Sequence, residues 1–230
     1  MKKISVLLLV VIGFTSFAQE TKALFEEKIT KKVTMGYVLQ LPENTKEKYP
    51  LIVFLHGSGE RGTDLELVKA HSPFTYQNLI KEPFAILAPQ CPEGIWWDTE
   101  VVYELIKKTI AKNNIDPSRV YLTGLSMGGW GTWKLALEHP ELFAAVAPVC
   151  APVDRMMLFT AEKLKSKPIR IFHGALDDVV TPDNSIEMFQ KLKGIGANVE
   201  LTIFSNDNHN SWDSTYSNPE FYTWLFQQHQ

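Results

Sequence analysis

Val120-Tyr121-Leu122-Thr123-Gly124-Leu125-Ser126-Met127-Gly128 runs from an apolar stretch into a glycine-flanked serine, and a helical pattern follows it to Glu138 before Pro140 stops it. A buried strand, the pattern G-x-S-x-G and a helix, in that order, are the context of a nucleophile elbow. The turn has to be sharp, so glycine two residues to either side of Ser126 removes the Cβ atoms that would collide where strand and helix meet. The serine hydroxyl is then held out at a helix N-terminus. There the backbone N–H of Met127 points at a developing oxyanion. The plainer reading, a glycine-rich turn with a bystander serine, leaves the flanking strand and helix unexplained.

Outward from the elbow, short apolar runs recur at Leu51 to Leu55, Ala85 to Ala88, Ala144 to Val149, Ile169 to Phe172 and Val199 to Phe204. Continuous apolar runs of this length suit strands covered on both faces. Val33 to Leu41 reads as an earlier strand, after a candidate first strand near Phe25 to Thr30. Helical stretches alternate with the strands. Asp98 caps one whose stripe is Val101, Leu105, Ile106 and Ile110, and Thr181-Pro182 opens another that Gly194 ends. Asn218-Pro219 opens the last, with Phe221, Trp224 and Leu225 facing inward. Alternation of strand and helix predicts an α/β fold with a mainly parallel sheet. The Ala151 to Lys167 segment leaves room for a minimal lid only.

The chain has 230 residues, 45% of them hydrophobic and 21% charged, enough for one well-buried core and too few for two ordinary domains. Residues 1–18 read as a signal peptide: Lys2 and Lys3, an apolar run from Ile4 to Phe14, then Ser16-Phe17-Ala18 with cleavage before Gln19. That apolar run is shorter than the ~20 residues a membrane span needs. Residues 19–230 are left as a single catalytic domain, secreted or periplasmic, with no membrane attachment after cleavage. Losing Lys2 and Lys3 takes the formal charge from −3 to −5, which gives no electrostatic basis for binding nucleic acid. Cys91 and Cys150 each follow a strand, and the expected topology puts two other strands between them. At ~4.8 Å per strand they lie about 14 Å apart, beyond disulfide reach, so both are expected free and buried. No histidine stands at metal-ligand spacing from either, so no metal is expected.

A serine hydroxyl needs a base, and the base needs an acid to orient it. Of the six histidines, His209 falls in the polar loop Asn206-Asp207-Asn208-His209-Asn210-Ser211 just after the last strand, where a side chain can reach over the sheet edge. His56 and His173 each precede a glycine at a strand end, where a structural hydrogen bond to the loop backbone accounts for them. Asp154, Asp177, Asp178 and Asp183 are the candidate acids. Asp183 sits in a helix first turn, which explains it without catalysis. Trp96, Trp97, Trp130 and Trp212 fall in or beside the loops expected around Ser126, as an aromatic substrate cleft or as packing. Gly57-Ser58-Gly59-Glu60-Arg61-Gly62 matches G-x-G-x-x-G after a strand. A dinucleotide is disfavoured, because Glu60 would face the pyrophosphate, Thr63-Asp64 delays the helix, and no acid ends the next strand.

Leu51 to Gly62, Gly124 to Trp133, His173 to Val180 and the His209 loop together resemble α/β-hydrolase-fold enzymes of the carboxylesterase and phospholipase group, including secreted predicted-peptidase and feruloyl-esterase-like members. The resemblance spans nearly all of the chain after the signal. It implies a mainly parallel sheet with helices on both faces and a Ser126, Asp177, His209 triad, the H-G-x-x-D-x-x-V pattern at His173 to Val180 selecting Asp177 among the acids. It places the second oxyanion donor on the Ser58 backbone beside Met127. The activity implied is hydrolysis of carboxylic esters through an acyl-enzyme without a cofactor, on a small-molecule or glycan-linked ester such as acylated plant polysaccharide. A serine peptidase resembling the prolyl-oligopeptidase branch is the alternative enzyme, and a non-catalytic binding module is the alternative from another class. Oligomeric state is not legible.

Overall fold

Seven strands pair in the order β1-β3-β2-β4-β5-β6-β7 in a computed structural model that describes residues 20–28, 30–43 and 46–230. The strands are β1 (Tyr37–Gln40), β2 (Tyr49–Leu55), β3 (Ala85–Pro89), β4 (Ile115–Leu125), β5 (Ala145–Val149), β6 (Ile169–Gly174) and β7 (Val199–Phe204). Every pairing is parallel except β1 with β3, where Tyr37 lies opposite Pro89. The sheet belongs to the unit Val33–Gln230. In the other unit, Met1–Lys32, the described residues form neither helix nor strand. The strand expected near Phe25 to Thr30 is therefore not found there. Phe25 is 83% exposed and its neighbours are mostly charged, so the segment offers no face for a sheet to bury. The expected signal peptide lies outside the described residues.

Alternation along the strands divides the core. Leu51, Val53 and Leu55 of β2 point to one side with Val120, Leu122, Ile169 and Ile171, where they meet Val102 and Ile106 of α1 (Thr99–Lys112), Trp133 and Ala136 of α2 (Met127–Glu138), Met157 of α3 (Arg155–Thr160) and Met188 and Leu192 of α4 (Asp183–Gly194). Ile52 and Phe54 point to the other with Tyr121 and Phe172, against Tyr216 of α5 (Trp212–Tyr216) and Phe221, Tyr222 and Leu225 of α6 (Pro219–Phe226). Both faces of β2, β3 and β5 are buried, which is why these strands read as unbroken apolar runs, whereas the edge strand β7 leaves Glu200, Thr202 and Ile203 exposed. This is the α/β-hydrolase architecture.

Among the described residues, side-chain caps place three of the six α-helix starts, those of α1, α3 and α6. The Asp98 carboxylate accepts from Val101 N–H and the Asn218 side chain from Glu220 N–H. The cap expected of Thr181 is not made, because α4 starts two residues later behind Pro182 and ends at Gly194 itself, with the left-handed turn at Gly196 (φ +77°). Val33 to Leu41 shortens to the four residues of β1, an edge strand paired on one side only. In the lid region, α3 and a short 3-10 turn at Ala161–Leu164 are all that forms. The loops after β2, β3, β4, β5, β6 and β7 all leave the same end of the sheet, where parallel strands gather their functional side chains.

Candidate active site

Ser126 ends β4 and caps α2 with φ 54° and ψ −120°, a strained conformation that costs about 1–3 kcal/mol. Its backbone is pinned on both sides: Ser126 N–H donates to the Val149 carbonyl (3.0 Å) and Trp130 N–H to the Ser126 carbonyl (3.0 Å). A Cβ at Gly128 would lie 1.9 Å from the Leu55 carbonyl oxygen, so only glycine lets α2 start this close to β2.

His209 reaches over from the loop after β7. Its Nε2 is 2.9 Å from Ser126 Oγ and its Nδ1 is 2.8 Å from Asp177 Oδ2. The carboxylate can only accept, so Nδ1 carries the proton and Nε2 is the acceptor facing the serine hydroxyl. The Asp177 side chain is fully buried and its other oxygen, Oδ1, accepts from the N–H groups of Val179 (3.0 Å) and Val180 (2.9 Å). The loops carrying acid and base are tied to each other. Ala175 N–H donates to the Phe204 carbonyl and Leu176 N–H to the Asp207 carbonyl, both at 2.9 Å. A Cβ at Gly174 would strike the Asn208 carbonyl at 2.2 Å, so the glycine after His173 is what permits this approach.

The remaining candidate acids are placed elsewhere. Asp154 caps α3 and receives Trp130 Nε1–H at 3.2 Å. Asp178 is exposed, and Asp183 lies in the first turn of α4. His173 is buried, with Nε2 donating to the Val180 carbonyl (2.8 Å) and 3.2 Å from Asp177 Oδ2, and with Nδ1 accepting from Ser185 Oγ at 2.6 Å. Burial pushes its pKa down, so it stays neutral and braces the acid loop.

Ser58, expected to carry the second oxyanion donor, opens a 3-10 turn, Ser58–Glu60, directly after the buried Gly57. A Cβ built on Gly57 would lie 3.7 Å from Ser126 Cβ, so this loop touches the nucleophile. No α-helix follows Gly62 before β3, where the 3-10 segments Leu67–Lys69 and Pro73–Leu79 form instead, so the dinucleotide geometry of a helix N-terminus behind the third glycine is not formed. Met127 is the first residue of α2, beside Ser126.

The four tryptophans part company. Trp96 is 53% exposed and meets half-buried Trp130 edge-on, ring centroids 5.0 Å apart. Trp212 packs against His209 at 5.4 Å and against His71 at 5.4 Å. Trp97 is buried, and its Nε1–H donates to the His56 carbonyl at 3.3 Å, so it supports the loop from behind and lines no open surface. Sequence reasoning missed Gln90, whose buried amide donates to the carbonyls of Glu60 (2.9 Å) and Asp64 (2.8 Å) and clamps the loop after β2. No motif marks it.

Cys91 and Cys150 are free and buried, as expected. Cys150, Asp177 and His209 offer ligand atoms within 4.8 Å of one another. A metal there would compete with the Ser126 and Asp177 bonds of His209 and would need a thiolate, whereas burial pushes the Cys150 thiol up to about 12. This donor set suits a hydrogen-bonded relay better than a metal.

Residues 67–217 match the dienelactone hydrolase family. The chain belongs to that family. Among relatives, it is 32% identical over 149 residues to a bifunctional acetylxylan esterase/xylanase of Neocallimastix patriciarum, covering 60% of this chain and 21% of that protein. It is 29% identical over 225 residues to a probable acetylxylan esterase A of Aspergillus terreus, covering 76% of this chain and 72% of that one. A solved thermostable esterase superposes with a TM-score of 0.77 at 38% identity, covering 85% of this chain and 60% of the other. Est1E from Butyrivibrio proteoclasticus shares the fold at 16% identity, with a TM-score of 0.67 and coverage of 84% and 95%. This member of the family spans less than half the length of several curated relatives, 45% of a Pseudomonas fluorescens poly(3-hydroxyoctanoate) depolymerase among them.

Proposed function

We propose that this protein is an exported serine hydrolase that cleaves carboxylic esters through an acyl-enzyme. The observation that carries the reading is the unbroken relay from Ser126 Oγ through His209 to buried Asp177, at 2.9 and 2.8 Å. Ser126 Oγ bonds to the ester carbonyl carbon as its proton passes to His209 Nε2. Asp177 holds the imidazole and balances the imidazolium. The N–H groups of Ser58 and Met127 receive the tetrahedral oxyanion. Collapse expels the alcohol, which takes the proton from Nε2. Water then adds to the acyl carbon with His209 again as base, the acid leaves, and Ser126 regains its proton. No step draws on a metal or organic cofactor.

Acyl groups on plant polysaccharide are the substrate class we favour. The support is the acetylxylan esterases among the relatives, the exposed Trp96 beside Trp130 as a platform for a ring, and the minimal lid. The basic, apolar and small-residue pattern of residues 1–18 supports export. Ser126→Ala should lower turnover of 4-nitrophenyl acetate by ~10³ or more and abolish fluorophosphonate labelling at an unchanged melting temperature. Near-normal activity would overturn the reading. Paired ester and anilide substrates separate it from a peptidase.

A further inference from the structure

His56, the residue after β2, is fully buried, and both of its ring nitrogens are engaged. Nε2 accepts the Cys91 N–H at 2.9 Å, which leaves Nδ1 as the protonated nitrogen, 2.6 Å from the Gly57 carbonyl to which it donates. The Gly57 carbonyl and the Ser58 N–H belong to one peptide unit. In a trans peptide these two bonds point in opposite directions, and no cis bond occurs among the described residues. A donor fixed on the carbonyl therefore fixes where Ser58 N–H points. It also polarises the amide, which makes its N–H a stronger donor. On the far side of Ser58, Arg61 Nε donates to the Ser58 carbonyl at 3.0 Å.

We propose that His56 is a positioning residue for ester hydrolysis: the relay from Cys91 N–H through the His56 imidazole to the Gly57–Ser58 peptide presents a pre-aimed, polarised N–H to the tetrahedral oxyanion. A histidine kept for packing alone needs no particular tautomer. Here the tautomer matters at both ends, because a proton on Nε2 would set a second donor against Cys91 N–H and remove the acceptor that anchors the ring. Burial, reinforced by the Arg61 charge, lowers the pKa to about 4 and keeps the ring neutral near neutral pH. The Glu60 carboxylate, 3.8 Å from Nδ1, is too far to take the proton from the Gly57 carbonyl. Trp97 holds the ring edge-on at 4.8 Å.

The proposal rests on Ser58 as the second oxyanion donor, so both are tested together. Proline at position 58 deletes the N–H together with an exposed hydroxyl and leaves the backbone unstrained: Ser58 is the first residue of its turn, and Gly57 already has the extended conformation (ψ −172°) a residue before proline requires. Ser58→Pro should lose ~10² to 10³ in kcat. His56→Gln keeps an acceptor for Cys91 N–H and loses the donor on Gly57. It should lose about tenfold or more in kcat per titrated active site, with KM within about twofold, and bind a trifluoromethyl ketone inhibitor more weakly by the same factor. His56→Asn, whose amide nitrogen falls near the Nδ1 position, should recover most of both. A packing role would lower the melting temperature of both variants and leave kcat per active site and inhibitor affinity unchanged, and that result overturns the proposal. A neutral Ser58→Pro removes the Ser58 assignment and this inference with it, whereas a crippled Ser58→Pro beside a neutral His56→Gln removes this inference alone. Nitrogen NMR of unmutated protein adds a readout independent of variant folding: an Nδ1-protonated His56 is required, and an Nε2-protonated ring overturns the proposal.

Discussion

Asp177→Asn gives the sharpest test of the proposed relay, because the surroundings dictate how the new amide must turn. Asp177 Oδ1 accepts two backbone N–H groups, from Val179 and Val180, so the asparagine oxygen has to take that position. Its NH₂ then replaces Oδ2 and donates toward His209 Nδ1. The imidazole is forced into the tautomer with its proton on Nε2, facing Ser126 Oγ, where it can no longer accept. Loss of the base by tautomer reversal costs about 10⁴ in kcat in serine proteases, or about 5 kcal/mol of barrier, and the same is expected here. The same NH₂ also confronts His173 Nε2–H, 3.2 Å from Oδ2 in the native protein, which adds about 1–3 kcal/mol of instability. Initial rates on 4-nitrophenyl acetate, normalised to folded enzyme, separate the two effects. Asp154→Asn and Asp178→Asn should each lose less than about tenfold, since asparagine caps α3 as well as aspartate does and Asp178 is solvent-exposed. An Asp177→Asn variant within tenfold of native activity, or a crippled Asp154→Asn, would refute the acid assignment.

Stability should fall as the pH drops from 6.5 toward 4, because His56 has an ordinary value of 6.5 when unfolded and about 4 when buried. In that window the unfolded chain binds the extra proton, so the stabilisation is complete above 6.5 and lost as pH falls through the folded value, about 3 kcal/mol in all. Urea denaturation at pH 7 and pH 4.5 checks this. His173, also lowered by burial, adds in the same direction, and a stability independent of pH over this range would contradict the burial of both rings. Burial pushes the thiols of Cys91 and Cys150 up to about 11 and about 12, so neither should react with a disulfide reagent at pH 8 until the protein unfolds, when both should. Rapid labelling of native protein would count against their placement.

What could be read from sequence was local. The elbow is five adjacent residues between a strand and a helix, and β2, β3 and β5 are each an apolar run. The candidate strand near Phe25 misled because a short segment by itself says nothing about whether a partner strand exists. Thr181 misled because proline in a first turn leaves the exact start of α4 free by a residue or two. The acid was ambiguous for a further reason: four carboxylates follow strand ends, and only tertiary contacts decide which one meets His209. Gln90 was opaque altogether and Trp97 stood open between cleft and packing, since each acts through hydrogen bonds to carbonyls distant in sequence.

Three histidines at the ends of three strands show how environment assigns role to one residue type. His56 follows β2, His173 lies in β6 and His209 lies beyond β7, all at the end of the sheet where Ser126 sits. His56 and His173 are fully buried, with backbone partners or a serine on both nitrogens, and burial lowers the pKa of each. Such rings resist protonation and can serve only as fixed neutral braces. The His209 side chain is 18% exposed, with a carboxylate on one nitrogen and a serine hydroxyl on the other. His173 also meets Asp177 and a serine hydroxyl but is shut away from solvent, whereas His209 pairs the same carboxylate with the hydroxyl of the elbow serine at a partly open position, which is what the proposed proton cycling requires. Asp177, buried between His173 and His209 and held by its two backbone donors, serves both rings, so exposure and the neighbouring serine set their roles apart.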